Sequence, residues 1–136
     1  MYQVARDLAT ALDRQLAPFG VTAQQAALLL HASRQQASPS QLMTALGTDT
    51  AGMTKLIDRL QAKHLIERHQ HPDDRRSVLI ALSEDGQALA PQLRPVFGRV
   101  TRQLFTGFTG DEIGALTAML ERMRSNLAAG ATTRSS

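Results

Sequence analysis

A short run of ionisable residues could support two different kinds of chemistry. Between His69 and Asp74, imidazole and carboxylate groups stand close together, and both are side chains that bind zinc. Arg75 and Arg76 follow directly, and guanidinium groups bind phosphate oxygens or enter the minor groove of DNA. The run therefore suggests either a metal site or a nucleic-acid contact, and the neighbouring elements distinguish the two.

The elements around this run favour the nucleic-acid contact. Aliphatic and β-branched residues over 65–69 and 78–82 predict two strands, and the charged segment between them predicts the turn of a hairpin. Zinc needs ligands that converge at ~2.0–2.2 Å, and an exposed hairpin tip does not provide such a site. We therefore predict no metal and no cofactor. A regulator that senses metal through His69 and His71 stays an alternative, which chelator-sensitive DNA binding would favour.

A helix-turn-helix is predicted just before the hairpin. Ser38 and Gln41 have the spacing of a capping box at the start of a short helix. Gly47 can end that helix in the left-handed conformation, and Asp49 or Thr50 can cap the next one. A short helix, a glycine turn and a second helix form the motif that inserts its second helix into a DNA groove.

The second helix has one apolar face and one polar face. Its core face comprises Met53, Leu56, Ile57 and Leu60, at spacings of three and four. Its outer face comprises Thr50, Ala51, Thr54, Lys55, Asp58 and Arg59. Small residues at the start of this outer face allow close approach to a duplex, and Lys55 and Arg59 can reach phosphate or a guanine edge.

The hairpin turn carries a carboxylate two residues before an arginine, Asp74 and Arg76. A carboxylate at this spacing can hold the guanidinium extended, and an arginine at the tip of a hairpin fits the narrow minor groove. We therefore predict that Asp74 orients the side chain of Arg76.

Together these segments resemble the MarR family of bacterial transcriptional regulators. The resemblance covers about residues 4–127, from Val21–Gln25 through the helix-turn-helix to Leu82–Gly86. Its most specific part is the hairpin, or wing: Asp74, any residue, Arg76, five residues, then Leu-Ser-Glu-x-Gly. The resemblance implies a homodimer that binds a pseudo-palindromic operator, usually as a repressor that a small molecule releases.

The resemblance also implies roles for individual residues. The second helix, which starts near Asp49 or Thr50, becomes the recognition helix in the major groove. Lys55 falls where relatives often place a base-reading cation, and Arg76 is the wing arginine with Asp74 as its partner. Half-sites about one DNA turn apart, ~10 bp, are expected. The predicted DNA-binding residues are Ser38, Ser40, Gln41, Thr50, Ala51, Gly52, Thr54, Lys55, Arg59, Arg75 and Arg76.

Four positions depart from the family pattern. His64 replaces a common glycine after the recognition helix, so a residue with a Cβ is expected in a left-handed conformation. Ala51 and Gly52 replace the usual pair of small hydroxyl residues, which removes two possible phosphate contacts. Ala26 replaces a common aromatic residue. The resemblance places a pocket for a small lipophilic or phenolic anion between the dimerisation helices and the winged core, with candidates Leu12, Leu16, Phe19 and Leu30.

The expected fold is mainly α, an α+β winged helix-turn-helix whose N- and C-terminal helices form a dimerisation part. Further helices are predicted over 2–17, over 22–34 with a capping box formed by Thr22 and Gln25, and from a cap at Ser83 to about 106, the last containing Pro91 and Pro95. A final helix is predicted to begin at a capping box over 109–112, and residues 35–37 form a connector or a short third strand. The predicted organisation is a single domain over 1–136, with a DNA-binding core at 22–82, dimerisation helices at 1–20 and 83–127, and a disordered tail at 128–136.

Composition narrows the class of function further. The net charge of +3 and the pI near 10.2 are compatible with a nucleic-acid partner. The chain has no cysteine, and it shows neither a nucleophile elbow nor a glycine-rich phosphate loop, so we predict no enzyme. No apolar run approaches the ~20 residues that span a membrane, and no signal-peptide pattern opens the chain, so a cytoplasmic protein is expected. A winged-helix module that binds another protein stays the second hypothesis.

Overall fold

A computed structural model describes the backbone of residues 2–135 and the side chains of residues 2–130. Helices and one antiparallel pair of strands confirm the mainly α winged fold. The chain forms two compact units, the first ending at Val100 and the second beginning at Thr101. The elements are α1 (Tyr2–Leu16), a short 3-10 helix (Ala17–Phe19), α2 (Ala23–Arg34), α3 (Pro39–Leu46), α4 (Thr50–Ala62), β1 (Ile66–Gln70), β2 (Val78–Leu82), α5 (Glu84–Leu104) and α6 (Gly110–Ser135).

The start signals of three helices work as the sequence predicts. At α3, Ser38 Oγ accepts a hydrogen bond from the Gln41 backbone, and the Gln41 side chain accepts one from Ser38 N at 2.9 Å. Thr22 and Gln25 form the same reciprocal box at α2. Asp49 caps α4, because its side-chain Oδ1 accepts a hydrogen bond from the backbone N–H of Gly52 at 2.7 Å. These bonds satisfy donors that a helix start leaves unpaired.

The hydrophobic core of the first unit is built from α2, the core face of α4, the strands and α5. All four predicted core residues of α4 are buried, and so are most of the apolar residues of α2. The largest fully buried side chains are Leu16, Leu28, Leu29, Leu42, Met53, Leu60, Ile80, Leu93 and Val96. This packing fixes which face of α4 remains outside.

The wing is a two-stranded antiparallel hairpin. Its register pairs Ile66 with Leu82 and Gln70 with Val78. Ala37 joins β2 through an isolated bridge to Ile80, with N···O distances of 3.2 and 2.7 Å. The predicted third strand is therefore a single bridging residue.

The recognition helix, the wing and α5 meet at one tightly packed junction. His64 has a φ of 60°, so the left-handed conformation expected at this position is confirmed. Ser83 Oγ donates to the His64 carbonyl at 2.7 Å and accepts from Gly86 N at 3.1 Å, as the predicted cap of α5. A Cβ at Gly86 would overlap the Leu65 carbonyl oxygen, so only glycine fits there.

The C-terminal helices differ from the sequence prediction at their ends. α5 continues through Pro91 and Pro95 as one helix and ends at Leu104 instead of about 106. α6 starts at a capping box made by Thr109 and Glu112, at 3.1 and 2.8 Å. It continues to Ser135 and so includes most of the segment from residue 128 for which the sequence predicts a disordered tail; residue 136 lies outside the described part. Alanine-rich sequence extends a helix readily, and one glycine costs only about 1 kcal/mol.

Within residues 2–135, no helix combines the length and the apolar character that crossing a membrane requires.

Candidate nucleic-acid interface

The outer face of α4 is exposed as predicted. The side chains of Thr50, Ala51, Thr54, Lys55 and Arg59 all lie on the surface. Among the described residues, neither Lys55 nor Arg59 has an ion-pair partner. The helix therefore presents short side chains at its start and two unneutralised cations one turn apart, which suits a phosphate-lined groove.

Gly52 is half-buried on the flank of α4, and the space around it favours a residue without a Cβ. A Cβ at Gly52 would come too close to the Thr48 hydroxyl, which would have to move, and would lie 3.1 Å from Asp49 Oδ1. The absence of a hydroxyl residue at 52 is therefore tied to the turn that precedes the helix, since Thr48 and the capping carboxylate fill that space.

The start of α3 is partly exposed, but some of its polar groups already form hydrogen bonds within the chain. The Ser38 hydroxyl and the Gln41 carbonyl oxygen both serve the capping box. Ser40 is exposed, and only its carbonyl is engaged, by the Thr44 hydroxyl at 3.2 Å. Of the three predicted residues in this helix, Ser40 has the hydroxyl best placed for an external partner.

The predicted contact between Asp74 and the Arg76 guanidinium is wrong. Asp74 Oδ1 accepts from the backbone N–H of Arg76 at 3.0 Å, and Oδ2 accepts from the Ser77 hydroxyl at 3.0 Å. Both carboxylate oxygens therefore shape the backbone of the wing tip. The physical reason is proximity, because an N–H two residues ahead is easier to reach than the end of a long side chain.

These same bonds set the charge state of Asp74. The hydrogen bond from Arg76 N, and next that from Ser77, lower the pKa of its carboxyl below the ordinary 3.8. A lowered pKa means that the ionised group stabilises the wing tip fully above 3.8 and that this stabilisation is lost only as pH falls through the lower value. Near neutral pH the turn is thus held by a charged carboxylate.

Arg75 and Arg76 are both exposed at the wing tip. The turn is closed by a hydrogen bond from His71 N to Ser77 O at 3.0 Å. The Arg75 carbonyl accepts from Gln70 Nε2 at 3.1 Å. Backbone and side-chain bonds therefore order the tip, while neither guanidinium group makes an ion pair or a side-chain hydrogen bond among the described residues.

The wing histidines are occupied by local contacts. His69 Nε2 lies 3.0 Å from Glu67 Oε2, and His71 Nδ1 accepts from Asp73 N at 3.1 Å. Among the residues that the structure describes, no group of three or more His, Cys, Asp or Glu side chains is placed to hold a metal ion.

Two polar anchors of α4 went unrecognised in the sequence. Arg68 of β1 donates to Asp58 Oδ1 and to Gln61 Oε1, both at 3.0 Å. Lys63 Nζ, just past the helix, donates to the Gly20 carbonyl at 2.6 Å and to the Gln25 side chain at 2.8 Å. Each anchor joins residues from different elements, and no local spacing rule reveals such a pair.

A cleft of about 440 Å³ lies among α1, α2, α3 and α5 of the first unit. Of the four predicted ligand residues, Leu12 and Leu30 line it, whereas Leu16 belongs to the buried core and Phe19 packs against that core. The predicted ligand residues did not include the aromatic Phe97 or the basic Arg34, which also line the cleft. The cleft is lined by Leu12, Ala23, Gln24, Ala27, Leu30, His31, Arg34, Ala45, Leu46 and Phe97.

Comparisons with known proteins agree with this architecture. The sequence model of the MarR family matches residues 19–77. The multiple antibiotic resistance protein MarR of Salmonella typhimurium strain LT2 is 31% identical over 90% of this chain and 87% of its own length. A mutant MarR from E. coli, solved in complex with operator DNA, has 29% identity and a TM-score of 0.79, covering 90% of this chain and 89% of that one.

A further solved relative is BpsR of Bordetella bronchiseptica, whose DNA binding is regulated by 6-hydroxynicotinic acid. It has 27% identity and a TM-score of 0.80, over 90% of this chain and 89% of its own. The fold and the exposed basic site define a winged helix-turn-helix transcriptional regulator. The chain belongs to the MarR family.

Proposed function

We propose that this protein binds a pseudo-palindromic operator in double-stranded DNA as a homodimer, acts as a repressor in the cytoplasm, and is released by a small-molecule ligand. In this proposal α4 enters the major groove and the wing enters the adjacent minor groove. Lys55 and the small residues before it contact bases, Ser40, Thr54 and Arg59 contact phosphates, and Arg76 reads the minor groove.

The observation that carries this proposal is the distribution of charge on two neighbouring elements. Lys55 and Arg59 on α4, and Arg75 and Arg76 on the wing, are exposed and lack ion-pair partners among the described residues. Other exposed cations of the described residues, such as Arg14 and Arg102, also lack carboxylate partners, so the placement of these four on adjacent elements carries the proposal. Free cations on a helix and a hairpin next to it match the two groove contacts of a winged helix.

Dimerisation is supported by apolar surface that the single chain leaves uncovered. On α6, Met119, Leu120 and Met123 are each 43–48% exposed and Leu127 is 75% exposed. A second copy that covers this face would bury it, and a dimer carries the two recognition helices that a palindrome requires.

The decisive experiment is selection from a random DNA library, followed by sequencing, at two salt concentrations. The wild-type chain is compared with Arg76→Ala and with Arg124→Ala, which removes the same charge from a position outside the proposed interface. A palindromic motif that weakens with salt and loses its flanking preference only in Arg76→Ala is expected. Recovery of no motif at low salt would contradict DNA binding and favour a protein-interaction module.

Release by a ligand is supported by the cleft of the first unit. Its walls are mostly aliphatic, and His31 and Arg34 add basic groups at its edge. Such a lining suits a small anion with an apolar body. The relative BpsR responds to a ligand of this class, 6-hydroxynicotinic acid.

The ligand proposal is tested by titrating an aromatic carboxylate, such as 6-hydroxynicotinate, into the protein–DNA complex. The wild-type complex should dissociate, and Arg34→Ala should require about tenfold more ligand, because one charge-assisted contact is lost. Gln35→Ala, one residue away on the exposed connector, is the matched control. Equal sensitivity of both variants would contradict this location.

A further inference from the structure

The wing strand β1 is fastened to the outer surface of the recognition helix by one side chain. Arg68 Nη2 lies 3.0 Å from Asp58 Oδ1, and Arg68 Nε lies 3.0 Å from Gln61 Oε1. Asp58 and Gln61 are three residues apart, so they lie on adjacent turns of one helix face. A single planar guanidinium therefore holds two positions of α4, which restrains the direction of the wing as well as its distance.

Stability does not explain this contact. The side chains of Arg68 and Asp58 remain 45% and 63% exposed, and an ion pair this exposed adds little to folding. The wing also has its own attachment to the core through buried Ile66, Ile80 and Leu82. The bridge joins two elements that both carry cations without ion-pair partners among the described residues.

Asp58 is also an unusual residue for a surface that faces phosphates. It stands three residues after Lys55 and next to Arg59, on the exposed side of α4. An unpaired carboxylate there would repel DNA, and Arg68 neutralises it. The pair thus adds no net charge to the interface, and its contribution must come from geometry.

We infer that Arg68 is a positioning residue that sets the angle between wing and recognition helix, so that Arg76 reaches the minor groove while Lys55 is in the major groove. The inference rests on the proposed function. Arg68 acts through Arg76: loss of the bridge lets the wing tip move, and the base preference beneath the wing is lost. The preference read by Lys55 is kept.

The test is a double-mutant cycle on DNA affinity. A labelled duplex carrying the selected motif is titrated with wild type, the charge-neutral bridge variant Asp58→Asn/Arg68→Ala, Arg76→Ala and the combination of all three changes. Removing both charges of the bridge leaves no unpaired carboxylate on α4. Arg76→Ala should weaken binding about tenfold, and the bridge variant about three- to tenfold. In the Arg76→Ala background the further loss from the bridge variant should fall below about twofold, because the residue that the bridge positions is already gone.

Base preference supplies a second readout that a purely structural role would not change. Motif positions that lose preference in Arg76→Ala should also lose it in Arg68→Ala and Asp58→Asn, whereas positions that depend on Lys55 should keep theirs. Gln61→Ala removes one of the two bonds and should give an intermediate effect. Arg124→Ala, which breaks an exposed pair with Glu121 at 3.6 Å, is the matched control and should leave both readouts unchanged.

Distinct results would overturn the inference. If Arg68 contacts phosphate directly, the charge-neutral variant Asp58→Asn/Arg68→Ala will weaken binding equally with or without Arg76 and will lower the salt dependence by about one phosphate contact, and Asp58→Asn alone will tighten binding. Uniform loss of preference at every motif position would likewise refute a positioning role. Failure of the wild-type chain to bind any duplex would instead overturn the proposed function, and this inference with it.

Discussion

The recognition helix α4 and the C-terminal helix α6 carry similar apolar stripes, but the stripe of α4 is buried and that of α6 is exposed. The stripe of α4 is covered by its own chain, and its member Leu60 is fully buried. The stripe of α6 is open, with Met123 43% and Leu127 75% exposed. Periodicity of three and four identifies the apolar face in both helices, but it does not tell what covers that face.

The apolar stripe of α1 is buried at one end of the helix and exposed at the other. Leu16 at its C-terminal end is buried, whereas Val4 near its N-terminal end is 58% exposed. Apolar side chains that recur every four residues thus pass from the core of the first unit into solvent. The contrast suggests that the winged core is complete in one chain and that the open stripes are completed by a second copy.

The largest expected effect comes from deleting a side chain of the covered stripe. Leu60→Ala should lower the free energy of unfolding by about 2–5 kcal/mol, because it removes buried contacts and leaves a cavity. Leu127→Ala, the same change on the open stripe, should cost less than about 1 kcal/mol. Urea unfolding at a protein concentration low enough to favour monomer measures both, and equal losses would contradict the comparison.

The next effect concerns assembly instead of folding. Met123→Glu places a charge in the open stripe and should weaken dimerisation about hundredfold, roughly 2.7 kcal/mol, since a charge is costly in an apolar interface. Ser125→Glu adds the same charge on the other side of α6 and should leave assembly unchanged. Analytical ultracentrifugation gives the dissociation constants. A Met123→Glu chain that still dimerises normally would show that another surface joins the copies.

Two glycines differ in the same way as the two helices: Gly86 is closely packed, and Gly114 on α6 is open. Gly86→Ala should destabilise by about 1–3 kcal/mol, because its Cβ would overlap the Leu65 carbonyl in the junction. Gly114→Ala, on α6 with nothing within 4 Å of its Cβ, should stabilise by about 0.5–1 kcal/mol through helix propensity. Thermal unfolding of both variants checks the signs, and a loss at Gly114 would mean that this part of α6 is closely packed.

The features that sequence predicted well are those fixed by neighbours in the chain. The capping boxes at Ser38 and Thr22, the glycine turn at Gly47 and the left-handed residue at His64 each depend on a few consecutive residues. The apolar face of α4 followed from a local period as well. Such features can be predicted from sequence because the residues that cause them lie within one or two helical turns of each other in the chain.

The features that sequence missed depend on side-chain reach between elements. Arg68 and Asp58 are ten residues apart and meet only because the wing folds back on α4. Asp74 had two candidate donors on the same residue, and spacing alone could not choose the Arg76 backbone over its guanidinium. Phe97 reaches the cleft only after α5 has packed on α2. Each needs the tertiary arrangement first.

The smallest expected effect tests how much strain the junction holds at His64. A residue with a Cβ costs about 1–2 kcal/mol in the left-handed conformation, while glycine costs about 0.5–1 kcal/mol more chain entropy on folding. His64→Gly should therefore stabilise by about 0.5 kcal/mol, the difference between these terms. Ala62→Gly, two residues earlier in α4, pays the entropy without relieving strain and should destabilise by about 1 kcal/mol.

Opposite signs for these two glycine substitutions would show that strain at the end of the recognition helix is real and local. Chemical unfolding resolves the difference of about 1.5 kcal/mol between them, since a factor of ten in the equilibrium corresponds to about 1.4 kcal/mol. If His64→Gly also destabilises, the imidazole makes a contact worth more than the strain it causes. At this junction, as in the covered stripe of α4, side-chain packing would then contribute more to stability than backbone preference does.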